Sequence, residues 1–291
     1  MGTEVGQQAR INDVLYTIHR DISAELSGAT LATVAAYSEQ HFHRVFQKVT
    51  GESVYHYIRR IRLEHAANLL MFDSKTPIAE IAEQCGYRSL SSFSKAFKDL
   101  FAMTPGQWRK DDLAAQSPPY LIDGEIAQGY QRISTLALPE VELVQLEPQH
   151  VAYVRHRGYG RGIRQAWQLL QAWAATEQRP FTRQIGLHHS NPAWVPLDRC
   201  RYVACIQIDQ AIPRRGVVNS MTIPGGLHAM FQFSGCYGEL LPWISKVLEQ
   251  WLPSSGLKAQ STPAFVEYQR NHFLDPDEQF ELRYYLPVTL Y

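Results

Sequence analysis

Leu31-Ala32-Thr33-Val34-Ala35-Ala36-Tyr37-Ser38-Glu39-Gln40-His41-Phe42-His43-Arg44-Val45-Phe46 and Ile81-Ala82-Glu83-Gln84-Cys85-Gly86-Tyr87-Arg88-Ser89-Leu90-Ser91-Ser92-Phe93-Ser94-Lys95-Ala96-Phe97 are two versions of one pattern. Leu31, Ala32, Ala35, Ala36 and Tyr37 correspond to Ile81, Ala82, Cys85, Gly86 and Tyr87 at a constant offset of 50. Phe42 and Phe46 correspond to Phe93 and Phe97 at an offset of 51, so one residue has been gained at the turn. Each copy reads as a short apolar helix, a turn and a second helix with an apolar stripe, which is a helix-turn-helix. In that motif the second helix lies in a DNA major groove with its N-terminal residues on base edges. In the first copy Phe42, Val45 and Phe46 are expected inside, leaving Gln40, His43, Arg44 and Gln47 outside. In the second, Phe93, Ala96 and Phe97 are expected inside, leaving Leu90, Ser91, Ser92, Ser94 and Lys95. Gln pairs with adenine and Arg with guanine, whereas serine reads weakly. The first helix is therefore expected to discriminate more.

Between the copies, residues 53–72 carry Val54, Tyr57, Ile58, Ile61, Leu63, Ala66, Leu69 and Leu70 at helical spacing. Twenty residues rising 1.5 Å each span roughly 30 Å, against about 34 Å between successive major-groove faces on one side of B-DNA. One polypeptide can thus set both readers on one duplex without a palindrome, and double-stranded DNA is the expected partner. Outward from this core, residues 10–25 form an amphipathic helix and Thr104-Pro105-Gly106 opens a last short one. Ser38 is expected to cap the first reading helix, and Pro77 falls in a first helical turn.

Asp111-Asp112 and Ala114-Ala115-Gln116-Ser117-Pro118-Pro119 mark a linker, giving domains at 1–112 and 138–291 with 113–137 between them. The second domain carries its own repeat. His150, Tyr153, Tyr159, Gly160, Leu170 and Trp173 match His228, Phe231, Tyr237, Gly238, Leu248 and Trp251, all at an offset of 78. Each copy reads as strand, Tyr-Gly turn, helix and two strands: 151–156, 161–176, 184–189 and 201–208, then 228–234, 238–252, 264–269 and 280–287. The fold class is multidomain: an all-α domain with two helix-turn-helix motifs on a long helix, then an α+β domain of two pseudo-symmetric strand-helix-strand-strand repeats. A concave sheet surface between such repeats is a natural ligand cleft.

Charge alone does not point to DNA. The net charge of the 291 residues is zero; residues 1–110 hold 13 Lys and Arg against 11 Asp and Glu, and the remainder 15 against 17. Within 38–62, however, Arg44, Lys48, Arg59, Arg60 and Arg62 stand against Glu39 and Glu52. Lys48, Arg59 and Arg60 are the expected phosphate contacts. No run of 18 apolar residues exists and the N-terminus lacks a signal-peptide core, so a cytoplasmic protein with no membrane contact is expected. Cys85, Cys200, Cys205 and Cys236 show no CxxC spacing and are expected as buried free thiols. His41 and His43, at i and i+2 on a helix, point apart and make no metal site. With no nucleophile–base pair, no Gly-rich phosphate loop and no metal spacing, no catalytic residue, cofactor or metal is expected.

Tyr37-Ser38-x-x-His41-Phe42-x-Arg44-x-Phe46, Thr50-Gly51, and Gly86-Tyr87-x-Ser89-x-x-x-Phe93-x-x-x-Phe97 with Thr104-Pro105 resemble the AraC/XylS family of transcription regulators over about residues 10–110. The resemblance implies sequence-specific DNA binding and promoter activation through contact with RNA polymerase. It implies base readers at Gln40, His43 and Arg44, and at Ser91, Ser92 and Lys95. Ala36 and Ala102 stand where the family has glycine, so the backbone there either avoids φ > 0 or is strained. Tyr159-Gly160, Cys200-Arg201-Tyr202, Ile223-Pro224-Gly225-Gly226, Tyr237-Gly238-Glu239-Leu240 and Tyr285-Leu286-Pro287-Val288 resemble the GyrI-like effector-binding domains. That resemblance implies a cleft for a small amphipathic or cationic effector, with Glu267 meeting the cation and Tyr153, Phe231 and Tyr284 lining the cleft. Arg283 on the neighbouring strand either neutralises Glu267 or favours an anion. Two other readings remain: a hydrolase of small electrophiles, with Glu267 and a nearby tyrosine as its only candidates, or a protein-interaction domain.

Overall fold

A computed structural model describes residues 4–73, 75–110, 121, 123–212, 216–260 and 262–290. The chain divides into two compact units, one of residues 1–111 and 213–219, the other of 112–212 and 220–291.

The first unit is helical. Helix α1 (Glu4–Arg20) buries Ile11, Val14, Leu15 and Ile18. They meet Leu31 and Ala32 of α2 (Gly28–Val34), and Phe42, Val45 and Phe46 of α3 (Glu39–Thr50). The connector α4 (Val54–Phe72) adds Val54, Tyr57, Ile58 and Ile61 to the same core. Its start is fixed by Ser53, whose hydroxyl accepts from the His56 amide at 3.3 Å. Ser38 occupies the N-cap position of α3 but makes no side-chain capping bond, unlike the expectation. Farther along α4, Ala67 O accepts from Trp108 Nε1 at 3.2 Å. Trp108 lies on α7 (Pro105–Lys110) and ends an aromatic chain with Phe93, Phe97 and Phe101 of α6 (Leu90–Phe101). Helix α5 (Ile78–Gln84) starts after Pro77, whose missing N–H costs nothing there. The two turns share one bonding pattern: Tyr37 N donates to Ala32 O and Tyr87 N to Ala82 O, with Ala36 at φ +51° and Gly86 at φ +76°. Ala102 is left-handed too, at φ +60°. Alanine therefore sits in the strained alternative at both departures.

The second unit holds a nine-stranded sheet in the order β1-β6-β9-β8-β3-β4-β2-β5, with β7 also on β9. The strands are β1 (Glu142–Leu146), β2 (Gln149–Arg157), β3 (Gln184–His188), β4 (Arg201–Gln207), β5 (Asn219–Ile223), β6 (Gly226–Cys236), β7 (Leu257–Ala259), β8 (Phe265–Arg270) and β9 (Gln279–Leu290). Only Pro224 and Gly225 separate β5 from β6, yet these strands stand near opposite ends of the order. The sheet must therefore curl. Inside the curl, Val151, Tyr153, Ile185, Val203, Cys205, Met230, Phe265 and Tyr285 form one cluster, with Val144, Leu146 and Met221 of the outer strands packed against it. The outer face is covered by α9 (Ile163–Thr176) and α10 (Leu240–Lys246), the latter continuing as a π turn at Val247–Trp251.

The expected linker 113–137 contains an ordered helix, α8 (Gly124–Ser134). Asp123 caps it, Arg132 reaches Glu239 at 2.6 Å, and the buried Lys246 ammonium donates to the carbonyls of Ile133, Ser134 and Leu136. A side chain at Gly129 would collide with Gly238 O, so glycine permits the close approach. This helix is held by partners more than 100 residues away, which local periodicity does not reveal.

Candidate nucleic-acid interface and effector site

On α3, Gln40, His43 and Arg44 are all exposed, on the side opposite the buried Phe42, Val45 and Phe46. His43 lies 3.8 Å from Glu39. On α6, Ser91, Ser92 and Lys95 are exposed. The serine hydroxyls are partly committed to the helix start: Ser92 Oγ donates to Ser89 O at 2.9 Å, and Ser91 Oγ lies 2.7 Å from Ser89 Oγ. Leu90, the first residue of α6, keeps 47% of its surface exposed.

The three expected phosphate contacts separate. Lys48 is exposed, and its bridge to Glu4 at 3.0 Å lies in open solvent, where such pairs hold weakly. Arg59 bonds Asp99 at 2.9 Å and stays partly accessible. Arg60 does not fit. Its guanidinium sits between Glu52 and Glu64, 2.8 Å from Glu64, over the ring of Tyr57, with 19% of the side chain exposed. Burial works against its charge, but the two carboxylates outweigh that and raise its pKa. A cation already compensated twice offers little to a phosphate.

The expected effector residues fall on two faces. Glu267 pairs across the sheet with Ile185 and Arg283, and Tyr153 with Cys205, so both lie on the inner face. Phe231 and Tyr284 lie on the outer face: Phe231 packs edge-on against Trp251 at 5.2 Å, and Tyr284 stacks with Phe233 at 6.1 Å. Their neighbours Met230 and Tyr285 point inward instead. The cause is a slip in the repeat. Gly158, at φ +101°, stands between β2 and Tyr159, whereas Tyr237 follows β6 directly. The offset of 78 holds through turn and helix but shifts the strands by one residue, which exchanges their faces.

Glu267 is not an open carboxylate. Arg183 meets both its oxygens, at 3.2 and 3.3 Å, and bonds Gln207 at 2.7 Å; 13% of the Glu267 side chain is exposed. Arg155 lies over the Tyr153 ring at 5.1 Å. The counter-ion is thus Arg183, with Arg283 alongside. On the helix-covered side, a cavity of about 50 Å³ lies between the two Tyr-Gly turns, lined by Tyr159, Tyr237, His188 and His272 among others. Burial pushes the His188 imidazole down to about 4; burial, helped by His188, pushes His272 down to about 3.

Residues 31–111 match a helix-turn-helix domain, and residues 139–289 match the GyrI-like small molecule binding domain, more than half of the chain. The chain belongs to the GyrI-like family, joined to an AraC-type DNA-binding domain. Two similar proteins match across most of the chain, and a third matches over about 100 residues. The Right origin-binding protein of Escherichia coli strain K12 is 25% identical over 284 residues, covering 88% of this chain and 95% of that protein. The transcriptional regulator Rob of Salmonella typhimurium is 24% identical over 287 residues, with the same coverage of 88% and 95%. The Tn10 TetD protein of Escherichia coli is 39% identical over 103 residues, covering 35% of this chain and 74% of TetD. This GyrI-like, AraC-type protein is a transcription regulator that binds DNA through its first unit and carries a small-molecule-binding second unit. Two features of the regulator escaped sequence reading. Cys236 is exposed, its thiol 3.6 Å from Glu239, while the other three cysteines are buried as expected. Arg183 precedes β3 by one residue, and only the long-range pairing of β3 with β8 brings it to Glu267. Among the described residues no helix is long and apolar enough to cross a membrane.

Proposed function

We propose that this regulator reads two adjacent half-sites on one face of a duplex, with Gln40, His43 and Arg44 on bases in one major groove and Ser91, Ser92 and Lys95 in the next. Lys48 and Arg59 hold phosphates. The observation that carries this reading is the pair of exposed polar helix faces borne by a connector of 19 residues, roughly 28 Å long. The reading includes activation through RNA polymerase in the cytoplasm, domains divided near residues 112 and 138, and action by binding rather than turnover. Selection of bound duplexes followed by footprinting tests it. Arg44→Ala loses about 1–3 kcal/mol on the selected site and relaxes one base position. Arg59→Ala weakens all sequences alike and lowers the salt slope by about one. Equal loss on selected and random DNA for Arg44→Ala sinks the base assignment.

The effector reading rests on the inner face of the sheet. Glu267 is already matched by Arg183, Tyr153 is capped by Arg155, and Arg283 adds a third cation. A small molecule with an apolar body and a neutral or anionic head suits that balance better than a cation. In a thermal-shift screen, anionic amphiphiles raise the melting temperature of the full chain and cationic ones do not. Arg183→Gln releases Glu267 and reverses that order. Cations that stabilise the unaltered protein as strongly as anions overturn the charge assignment.

A further inference from the structure

Each helix-turn-helix turn is held by an arginine from the helix before it. Arg10 of α1 donates to Ala35 O at 3.1 Å and Ala36 O at 2.8 Å, with its guanidinium 5.0 Å from the Tyr37 ring. Arg62 of α4 takes the matching place in the second copy, donating to Gly86 O at 3.3 Å. It also does something Arg10 does not. Its Nε donates to Ile22 O at 2.7 Å and its Nη2 to Ala24 O at 2.8 Å, both in the loop that leads into the first helix-turn-helix. One planar guanidinium thus bonds three carbonyls, two in the loop before the first motif and one in the turn of the second. Around it a cleft of about 760 Å³ separates the loop 23–27 from the turn 86–90. Across the cleft rim the motifs are joined by Arg88 and Glu25 at 3.6 Å, both largely exposed. Gly86 leaves no slack: a Cβ there would come within 2.8 Å of the Arg62 guanidinium. The loop that leads into the first motif and the turn of the second are thus tied to the shared helix α4 by one side chain lining an open cleft.

We infer that Arg62 fixes the separation and angle of the two reading helices, and so decides which spacing between half-sites the regulator accepts. This rests on both helices reading DNA. Arg62 is a positioning residue that touches no base. The guanidinium fork is pre-organised for several carbonyls at once, which an ammonium or an amide does not reproduce. One base pair inserted between half-sites moves the second by about 3.4 Å and turns it by about 35°. A rigid pair of readers resists that change; a pair freed from Arg62 follows it.

The test uses the full chain. A best duplex is selected from a random library, and variants with one or two base pairs inserted or removed between the half-sites are titrated by fluorescence anisotropy against the wild type, Arg62→Gln and Arg62→Lys. The wild type loses about tenfold or more for one inserted base pair, equal to about one decade in Kd. Arg62→Gln binds its best site more weakly and loses under about threefold for the same insertion, with Arg62→Lys between the two. Should Arg62→Gln lack helical circular dichroism, Arg62→Lys carries the comparison. A uniform loss with the wild-type spacing penalty intact means that Arg62 only stabilises the fold, and overturns the inference while leaving two-site reading in place. A wild type indifferent to spacing overturns both.

Discussion

Ala36 and Ala102 hold left-handed backbone, at φ +51° and +60°, where a Cβ crowds the following carbonyl. Ala36 aligns with Gly86, which adopts the same conformation at the same turn without that cost. The surrounding bonds outlast the strain: Arg10 donates to both Ala35 O and Ala36 O. Ala36→Gly and Ala102→Gly are each expected to stabilise the helical unit by about 0.5–1 kcal/mol, the relief of strain exceeding the entropy gained by the unfolded chain. Thermal melts followed at 222 nm check this, and a lower melting temperature for either variant contradicts it. Leu90 carries a second prediction. A leucine 47% exposed at the first position of a reading helix has no solvation reason to be there, but the thymine methyl in a major groove is an apolar partner. Replacing thymine by deoxyuridine in the half-site read by α6 removes only that methyl. Affinity is expected to fall several-fold for the wild type, and Leu90→Ala is expected to be insensitive to the same change. Equal sensitivity in both proteins rules the contact out.

At the scale of elements, legibility in the sequence followed locality. Helices α3 and α6 were readable because Phe42, Phe46, Phe93 and Phe97 repeat at helical spacing next to turns with their own signature. Helix α8 was not, because its anchors Glu239 and Lys246 come from the far end of the unit. The inner lining of the sheet was half readable. Tyr153 and Glu267 share a face, but the extra residue at Gly158 turns the repeat match for Phe231 onto the helix-covered side. Strand alternation has period two, so a single uncounted residue reverses every assignment made by offset. Arg60 departs from its expected place for a related reason: a basic stripe over 38–62 tallies charge and stops short of Glu64, one turn further along α4, and the tally does not show that Glu52 folds back onto the same guanidinium. The face assignment makes its own prediction. Phe231→Ala is expected to cost about 3–5 kcal/mol in urea unfolding, as a buried aromatic should, without altering the order of effectors in the folded protein. Met230→Ala, one residue away on the inner face, is expected to change that order. If Phe231→Ala changes effector preference and Met230→Ala does not, the two faces are exchanged.

At the scale of the whole molecule, acid works against buried histidines in both units, His65 in the helical one and His188, His189 and His272 in the sheet unit. His188 is wedged between Tyr159 and Tyr202, and His272 among Tyr237, Tyr268, Phe273 and Phe280. Burial holds His188 down at about 4, and burial with the nearby His188 holds His272 at about 3, Glu278 working weakly the other way. In the unfolded chain both return to about 6.5. Above that value neither state is protonated and the two histidines leave stability unchanged. Below it the unfolded chain takes up protons that the folded unit refuses, so stability falls as pH drops from about 6.5 towards 4. Each histidine contributes a slope of about 1.4 kcal/mol per pH unit in that window, or roughly 2 kcal/mol by pH 5. Trp167, Trp173, Trp194, Trp243 and Trp251 lie in this unit and only Trp108 in the other, so tryptophan fluorescence reports mainly on the sheet. Urea titrations by fluorescence at pH 7 and pH 5 are expected to show a marked loss of stability at the lower pH. The double variant His188→Gln, His272→Gln, compared with itself at the two pH values, is expected to lose less, the remaining loss resting chiefly on His189, which burial and the nearby Arg155 and Arg201 also hold down. Equal stability of the wild type at both pH values, or an equal loss in the double variant, means that these imidazoles accept protons where they stand and that the cavity between the Tyr-Gly turns admits water.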